Sequence, residues 1–202
     1  MADIYQNFKA LSQIEVENID YRIVSRNVTS KFAIMAPHGG RIEHGTSQIA
    51  AGIAGNDFAY YSFEGLKTLS HDLHITSNHF DEPHAIQLAK NSDIVITLHG
   101  AYGKKPFVYF GGLHHDLKQE LIFALIQASF PAALDPSPNR QGSGETNICN
   151  RGKLKKGVQI EMTQGFRKSL FIAPDYEHTT WRPNSSFDLF TQTIRDVLTN
   201  SK

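Results

Sequence analysis

The most informative segment of the sequence is Phe32-Ala33-Ile34-Met35-Ala36-Pro37-His38-Gly39-Gly40-Arg41-Ile42-Glu43. Its first four residues form an apolar run of the kind that becomes a buried strand. A proline and two glycines then break the strand, and the break lies between a histidine and a carboxylate. Ligands of α/β proteins bind at the edge of the sheet where parallel strands end, so this turn predicts a binding site that contains His38 and Glu43.

Other apolar runs predict further strands. The clearest is Asp93–Leu98, which ends in His99-Gly100 and so repeats the strand-to-His-Gly pattern of the first stretch. The remaining predicted strands are Tyr21–Val24, Phe58–Phe63, Leu73–Thr76, Phe107–Phe110 and Gly157–Met162. Within the last of these, Gln159 and Glu161 share one face because side chains alternate along a strand.

Helical patterns separate these strands, over residues 3–18, 46–54, 81–89, 116–130 and 187–198. Their alternation with apolar strands predicts one α/β domain over residues 1–202, with a mixed, largely parallel sheet and helices on both faces. We expect residues 1–20 to form a helical N-terminal extension. Turn-forming residues fill 135–156 and predict a long loop, of the kind that is usually functional or disordered.

Composition narrows the class of protein. The chain has 202 residues, a formal net charge of +0 and a single cysteine, Cys149. One cysteine excludes an internal disulfide, and a lone cysteine in a polar loop is usually a bystander. Zero net charge gives no indication of a nucleic-acid or membrane partner. Because no apolar run reaches the length of a signal peptide or a membrane span, we expect a cytoplasmic protein, and we expect a monomer.

His38, Glu43 and His99 form a predicted metal site. A catalytic zinc commonly takes three protein ligands and keeps its fourth position for water. If the two preceding strands are parallel neighbours, their carboxyl ends bring these three side chains together. However, a histidine at a strand end is more often a hydrogen-bonded loop residue, and a His-x4-Glu pair alone is a weak signal. The residue pattern by itself leaves both interpretations open.

Glu161 is the predicted general base of such a site. A metal hydrolase needs a group that takes a proton from water and returns it to the leaving group. Glu161 lies in an otherwise apolar strand, where a carboxylate is costly unless it has a partner or a function. Two alternatives remain: Glu161 faces solvent on an edge strand, or Glu64, at the end of another strand, is the base.

Basic residues concentrate between positions 139 and 168. The lysines within 153–156 are expected to form a solvated run. Arg140, Arg151 and Arg167 lie among small and polar residues, and an arginine fork binds a carboxylate through two hydrogen bonds. A basic segment in a neutral protein therefore predicts an anionic substrate.

Four motifs, in this order, resemble the phage-type poly-γ-glutamate hydrolase family. They are Ala36–Glu43, Tyr61–Gly65, Leu98–Gly100 and Val158–Arg167. The resemblance implies a carboxypeptidase-A-like core with one Zn²⁺ per chain, and hydrolysis of the γ-amide bonds of poly-γ-glutamate. The implied zinc ligands are His38, Glu43 and His99. The implied general base is Glu161. The residues expected to bind substrate carboxylates are Arg41, Arg151 and Arg167, to which the basic segment adds Arg140.

Two rival functions stay open. A different zinc amidohydrolase on the same core, such as a deacylase of a small N-acyl amino acid, would differ mainly in loop 135–156. A non-catalytic binder of anionic peptides would use the basic segment without a metal. A phage origin would further imply release of the protein by cell lysis.

Overall fold

The computed structural model describes residues 3–172 and 181–201. The strands are β1 (Tyr21–Arg26), β2 (Phe32–Gly40), β3 (Ala59–Gly65), β4 (Ile94–Ala101), β5 (Val108–Gly111), β6 (Ala132–Leu134), β7 (Val158–Thr163), β8 (Phe171–Ile172) and β9 (Arg182–Pro183). The α-helices are α1 (Phe8–Leu11), α2 (Thr46–Ala54), α3 (Pro83–Asn91), α4 (His115–Gln127), α5 (Gln164–Ser169) and α6 (Ser185–Asn200). Single 3₁₀ turns cover Ser70–Leu73, Pro138–Arg140 and Ile148–Asn150.

Seven strands form one sheet in the order β1-β3-β2-β4-β7-β5-β6. The central pairs, β3 with β2, β2 with β4 and β4 with β7, are parallel, as is β5 with β6. β1 is antiparallel to β3, and β5 is antiparallel to β7. The predicted mixed, largely parallel sheet is therefore confirmed, and the two strands that end in His-Gly are parallel neighbours.

Helices cover both faces of this sheet, as predicted. On one face, α2, α4 and α6 pack against apolar side chains of the central strands. The buried stripe of α6 is the predicted one: Phe187, Phe190, Ile194 and Leu198. On the other face, Ala85, Leu88 and Ala89 of α3 pack against the opposite side of β2 and β4. The strands are buried from both sides, which is why their sequences read as continuous apolar runs.

The predicted break of β2 at Pro37 is instead a β-bulge. The strand continues to Gly40, but between Ala36 and Gly39 it contains one residue more than β3 does. A bulge bends the strand and re-aims the side chains beside it. Gly40, with φ at +61°, then adopts a left-handed conformation that favours glycine and turns the chain out of the sheet.

The prediction of an N-terminal helix over residues 1–20 is wrong for the described part of that segment, where α1 spans only Phe8–Leu11. Ile14, one of the expected apolar positions, is 70% exposed. The Asp20 carboxylate accepts a hydrogen bond from the Val16 backbone N–H at 2.8 Å, which favours a turn over a continued helix. The apolar spacing is helical, but no buried face rewards a longer helix.

The predicted strand over Leu73–Thr76 is also wrong, because the Ser70–Leu73 turn leads into a segment that pairs with no strand of the sheet. Residues 135–156 are a loop, as predicted, but an ordered one: Asn147, Ile148, Cys149 and Asn150 are all buried in it. Among the described residues, no helix has both the length and the apolar character that crossing a membrane would need.

Candidate metal centre

A cavity of about 700 Å³ opens where the parallel central strands end. His38 comes from β2, His99 from β4 and Glu161 from β7, and all three line this cavity. Glu43, from the turn after β2, completes the wall. The location follows from the sheet, because neighbouring parallel strands deliver their last side chains to the same edge.

His38 is fixed by a hydrogen bond on the side of its ring that faces away from Glu43. Its Nε2 lies 2.8 Å from the carbonyl oxygen of Ile75, which only accepts, so Nε2 carries the hydrogen. In the neutral ring, Nδ1 then carries no hydrogen and has a free lone pair. This nitrogen lies 3.2 Å from Oε1 of Glu43. The Glu43 N–H donates to the carbonyl of His38 at 2.9 Å, which folds the turn back so that the two side chains meet.

His99 completes a group of three side chains whose possible ligand atoms converge. Its Nδ1 lies 3.1 Å from Nδ1 of His38 and 3.7 Å from Oε2 of Glu43. Its Nε2 is 3.4 Å from the Ser77 hydroxyl, on the far side of the ring. The same Glu43 Oε2 accepts a hydrogen bond from the Gly100 N–H at 2.8 Å. Both imidazoles thus turn Nδ1 inward, as histidines do when a partner on the other nitrogen orients them toward a metal.

This donor set fits zinc. Ligand atoms about 2.0–2.1 Å from a shared tetrahedral zinc lie about 3.4 Å from one another. The two Nδ1 atoms are 3.1 Å apart, and they lie 3.2 Å from Oε1 and 3.7 Å from Oε2 of Glu43 respectively. Two imidazole nitrogens and a carboxylate lie close together here, and this proximity shifts their pKa values. Burial disfavours the charged forms of His38 and Glu43, but the attraction between their opposite charges outweighs this effect. The pKa of His38 is therefore raised, and the pKa of Glu43 is lowered to about 2. Burial lowers the pKa of His99 to about 3, so this ring is neutral.

His74 is a fourth group at the site, and sequence reasoning missed it. Its ring centre lies 4.0 Å from that of His38, and ligand atoms of His38, Glu43 and His74 all lie within 4.8 Å of one another. Its Nδ1 is 2.7 Å from an Asp3 carboxylate oxygen, which leaves Nε2 as the nitrogen for the site. His38 and Glu43 therefore have two candidate partners, since the ring centre of His99 lies 4.9 Å from that of His38.

Glu161 lies at the centre of the sheet and not on an edge strand, so the solvent-facing alternative is wrong. It is 6% exposed and stands directly opposite His99 in the β4–β7 register. Burial, followed by the nearby Glu43 carboxylate, raises its pKa to about 8. Glu64, the other candidate base, instead forms an ion pair with Arg22 at 2.6 Å and lines a different cavity.

The four predicted substrate-binding arginines divide into two groups. Arg140 and Arg167 line the cavity of the metal centre. Arg140 also forms a two-point ion pair with Asp135, at 2.9 and 3.1 Å. Arg167 donates to the carbonyl oxygens of Met162 and His44. Both guanidinium groups are thus held in place beside the site.

Arg151 and Arg41 are not among the residues that line the cavity of the metal centre. The Arg151 guanidinium donates to three backbone carbonyls, those of Thr146, Phe80 and Asn78, and so ties the loop to the segment before α3. Arg41 lines the second cavity, of about 480 Å³, which also contains Arg22 and Glu64. For these two residues, substrate binding stays a prediction from the sequence.

Cys149 is buried, and burial raises the pKa of its thiol well above the ordinary value. A reactive cysteine needs a stabilised thiolate. The expectation that Cys149 is a bystander agrees with this environment.

Comparison with known proteins identifies relatives over almost the whole chain. The family model described as poly-gamma-glutamate hydrolase matches residues 5–193. The UPF0714 protein YndL of Bacillus subtilis (strain 168) is 38% identical over 201 residues, which cover 98% of this chain and 79% of that protein.

Two solved structures are similar along their full length. The structure of zinc-free YndL has a TM-score of 0.92 at 38% identity, and the match covers 98% of each chain. A bacteriophage poly-gamma-glutamate hydrolase has a TM-score of 0.91 at 26% identity, over 97% of this chain and 96% of that one.

Proposed function

The chain belongs to the poly-γ-glutamate hydrolase family, and from that membership we propose that it is a zinc-dependent amidohydrolase. Its substrate is the γ-glutamyl amide bond of poly-γ-glutamate or of a related anionic peptide. One observation supports this proposal most strongly: the inward-facing nitrogens of His38 and His99 and the carboxylate of Glu43 converge beside a buried carboxyl group on the next strand.

His38, Glu43 and His99 would hold one zinc ion per chain. When bound, zinc supplies Lewis acidity toward the scissile carbonyl and lowers the pKa of a water molecule. The protein prepares the site for it. Ile75 and Ser77 orient the two imidazoles, and the Gly100 N–H holds the Glu43 carboxylate.

Glu161 is the proton carrier in this proposal. It accepts a proton from the attacking water and donates it to the nitrogen of the departing amine, so the carboxylate is regenerated at the end of the cycle. A group that must both take and return a proton near neutral pH works best with a pKa close to the working pH. Burial moves the pKa of Glu161 in that direction.

Arg140 and Arg167 account for the preference for an anionic substrate. Each presents a guanidinium group beside the cavity, and each is already oriented by protein acceptors. A γ-linked glutamyl polymer carries one free α-carboxylate per residue, and such groups suit arginine forks. Two arginines that line the cavity could each hold one carboxylate of the polymer.

The test is a hydrolysis assay with purified protein, after metal removal and again after zinc is restored. We expect cleavage of poly-γ-glutamate only with zinc, and little cleavage of ordinary α-linked peptides or small N-acyl amino acids. Glu161→Gln should retain zinc and lose about 100-fold or more in kcat. His115→Ala serves as the matched control, because this histidine is exposed on α4, away from the site.

Three outcomes would contradict the proposal. Full activity in zinc-free protein would remove the metal from the mechanism. Preferential cleavage of small N-acyl amino acids would favour the deacylase. Zinc uptake below about a tenth of an equivalent, without hydrolysis of any substrate, would favour a non-catalytic binder.

A further inference from the structure

The Gln159 side chain lies between Glu161 and the loop that follows β6. Gln159 is 5% exposed and projects from the same face of β7 as Glu161. Its Nε2 donates to Oε1 of Glu161 at 3.0 Å and to the carbonyl of Arg140 at 3.0 Å. Its Oε1 accepts from Nδ2 of Asn147 at 2.9 Å. The carboxamide is thus bonded at both ends.

Only one orientation of this carboxamide satisfies its neighbours. The Cys149 N–H donates to Oδ1 of Asn147 at 3.1 Å, so the donor end of Asn147 must face Gln159. A reversed Gln159 would set its NH₂ against the NH₂ of Asn147, and its oxygen against the Glu161 carboxylate. Burying such unpaired groups is costly, so the chain of contacts from Cys149 to Glu161 has a fixed direction.

The loop end of this chain of contacts is held independently. The Arg140 carbonyl that accepts from Gln159 belongs to a residue whose guanidinium is paired with Asp135. The Asp135 side chain is fully buried, and its backbone N–H donates to the carbonyl of Phe110 on β5 at 2.9 Å. Gln159 therefore connects Glu161 to a part of the loop that is itself bonded to β5.

We propose that Gln159 is a positioning residue: it holds Oε1 of Glu161, so that Oε2 is the oxygen that takes the proton from water and returns it to the leaving amine. This inference rests on the proposed function of Glu161. A hydrogen bond from a neutral donor fixes the rotation of the carboxylate without supplying a competing proton. Displacement of a catalytic group by about 1 Å lowers the rate by about 100-fold.

Two substitutions test the role by different routes. Gln159→Met keeps the length of the side chain but removes the donor to Glu161. Asn147→Asp keeps the acceptor for the Cys149 N–H but removes the donor to Gln159, which favours reversal of its carboxamide. We expect each to lower kcat for poly-γ-glutamate by about 10- to 100-fold, with KM within about three-fold of wild type and zinc content unchanged.

The matched control is Thr97→Val. Thr97 lies directly opposite Gln159 in the β4–β7 register and is equally buried, and its hydroxyl has no hydrogen-bond partner among the described residues. This variant should keep the kcat and KM of wild type. It measures the effect of altering a buried polar side chain at the same level of the sheet, without touching Glu161.

A double-variant cycle separates positioning from general loss of structure. If Gln159 acts through Glu161, then adding Gln159→Met to Glu161→Gln should change the residual rate by less than about two-fold. A further ten-fold loss in that background would overturn the inference. So would a kcat within two-fold of wild type in both Gln159→Met and Asn147→Asp. If Gln159→Met fails to fold, Asn147→Asp decides alone.

The proposed function fails by a different result. An active Glu161→Gln variant would remove Glu161 from catalysis, whatever the Gln159 variants do. An inactive Glu161→Gln variant, together with fully active Gln159→Met and Asn147→Asp variants, would retain the proposed function and reject the positioning role.

Discussion

Replacing Glu161 by glutamine in the zinc-free protein should change how stability depends on pH. In the folded protein, burial and the Glu43 charge raise the pKa of Glu161 from 4.5 to about 8. In the unfolded chain, the pKa of this carboxyl group returns to its ordinary value. Between these two pKa values the folded state therefore holds a proton that the unfolded state has lost, and Glu161 makes the wild-type protein less stable as pH rises.

The size of the effect follows from the same shift. A difference of one bound proton changes the free energy of unfolding by about 1.4 kcal/mol per pH unit. From about pH 5 to about pH 7.5, both within the window, the wild-type protein loses about 3 kcal/mol through Glu161. Glutamine does not titrate, so the variant loses none of this. The variant should gain about 3 kcal/mol relative to wild type over that range.

Both proteins are dialysed against a chelator and then unfolded in urea at several pH values. Circular dichroism monitors the unfolding. Because other groups titrate in both proteins, the difference between their unfolding free energies largely isolates Glu161. Glu120→Gln on the exposed face of α4 is the matched surface control. A Glu161→Gln difference that stays constant within about 0.5 kcal/mol would show an ordinary pKa and refute the electrostatic argument for this base.

Three further predictions concern residues around the site. Gly100→Ala would place a Cβ 2.6 Å from the Arg167 guanidinium and so displace this arginine. We expect KM for poly-γ-glutamate to rise about ten-fold in steady-state kinetics. An unchanged KM would argue against Arg167 as a substrate contact. Arg151→Ala should lower the free energy of unfolding by about 1–3 kcal/mol in urea and leave KM unchanged, since its bonds are to backbone carbonyls; a raised KM would return it to the substrate site. Alkylation with iodoacetamide should leave native activity intact because Cys149 is buried; activity lost in proportion to alkylation would make the thiol functional.

Much of the fold could be predicted because its central strands are buried on both sides. Phe32–Met35 and Ile94–Leu98 contain apolar residues at almost every position, and the structure covers both of their faces with helices. Their shared His-Gly ending also predicted where the site lies. Parallel neighbours bring strand ends together whatever their separation in the sequence.

The errors arose where long-range contacts decide the local structure. His74 follows a 3₁₀ turn and reaches the site because the Asp3 carboxylate binds both its ring and the Thr76 N–H. No spacing rule relates Asp3 to His74. The alternation around His74 indicated a strand instead. Glu161 shows the opposite case: an acidic residue inside an apolar strand was a sufficient signal, because the strand is central.

The helix prediction for the N-terminal segment is wrong for a related reason. Its apolar residues have helical spacing, but only Leu11 of α1 is fully buried, while Ile14 is largely exposed. Helical periodicity predicts a helix only where a core receives the apolar face.

Anomalous diffraction at the zinc edge, from crystals of the zinc-loaded protein, tests the central claim most directly. We expect one zinc per chain, bonded at about 2.0–2.2 Å to Nδ1 of His38, to the Glu43 carboxylate and to Nδ1 of His99. A zinc ion bonded to His74 in place of His99, or the absence of zinc between His38 and Glu43, would contradict it.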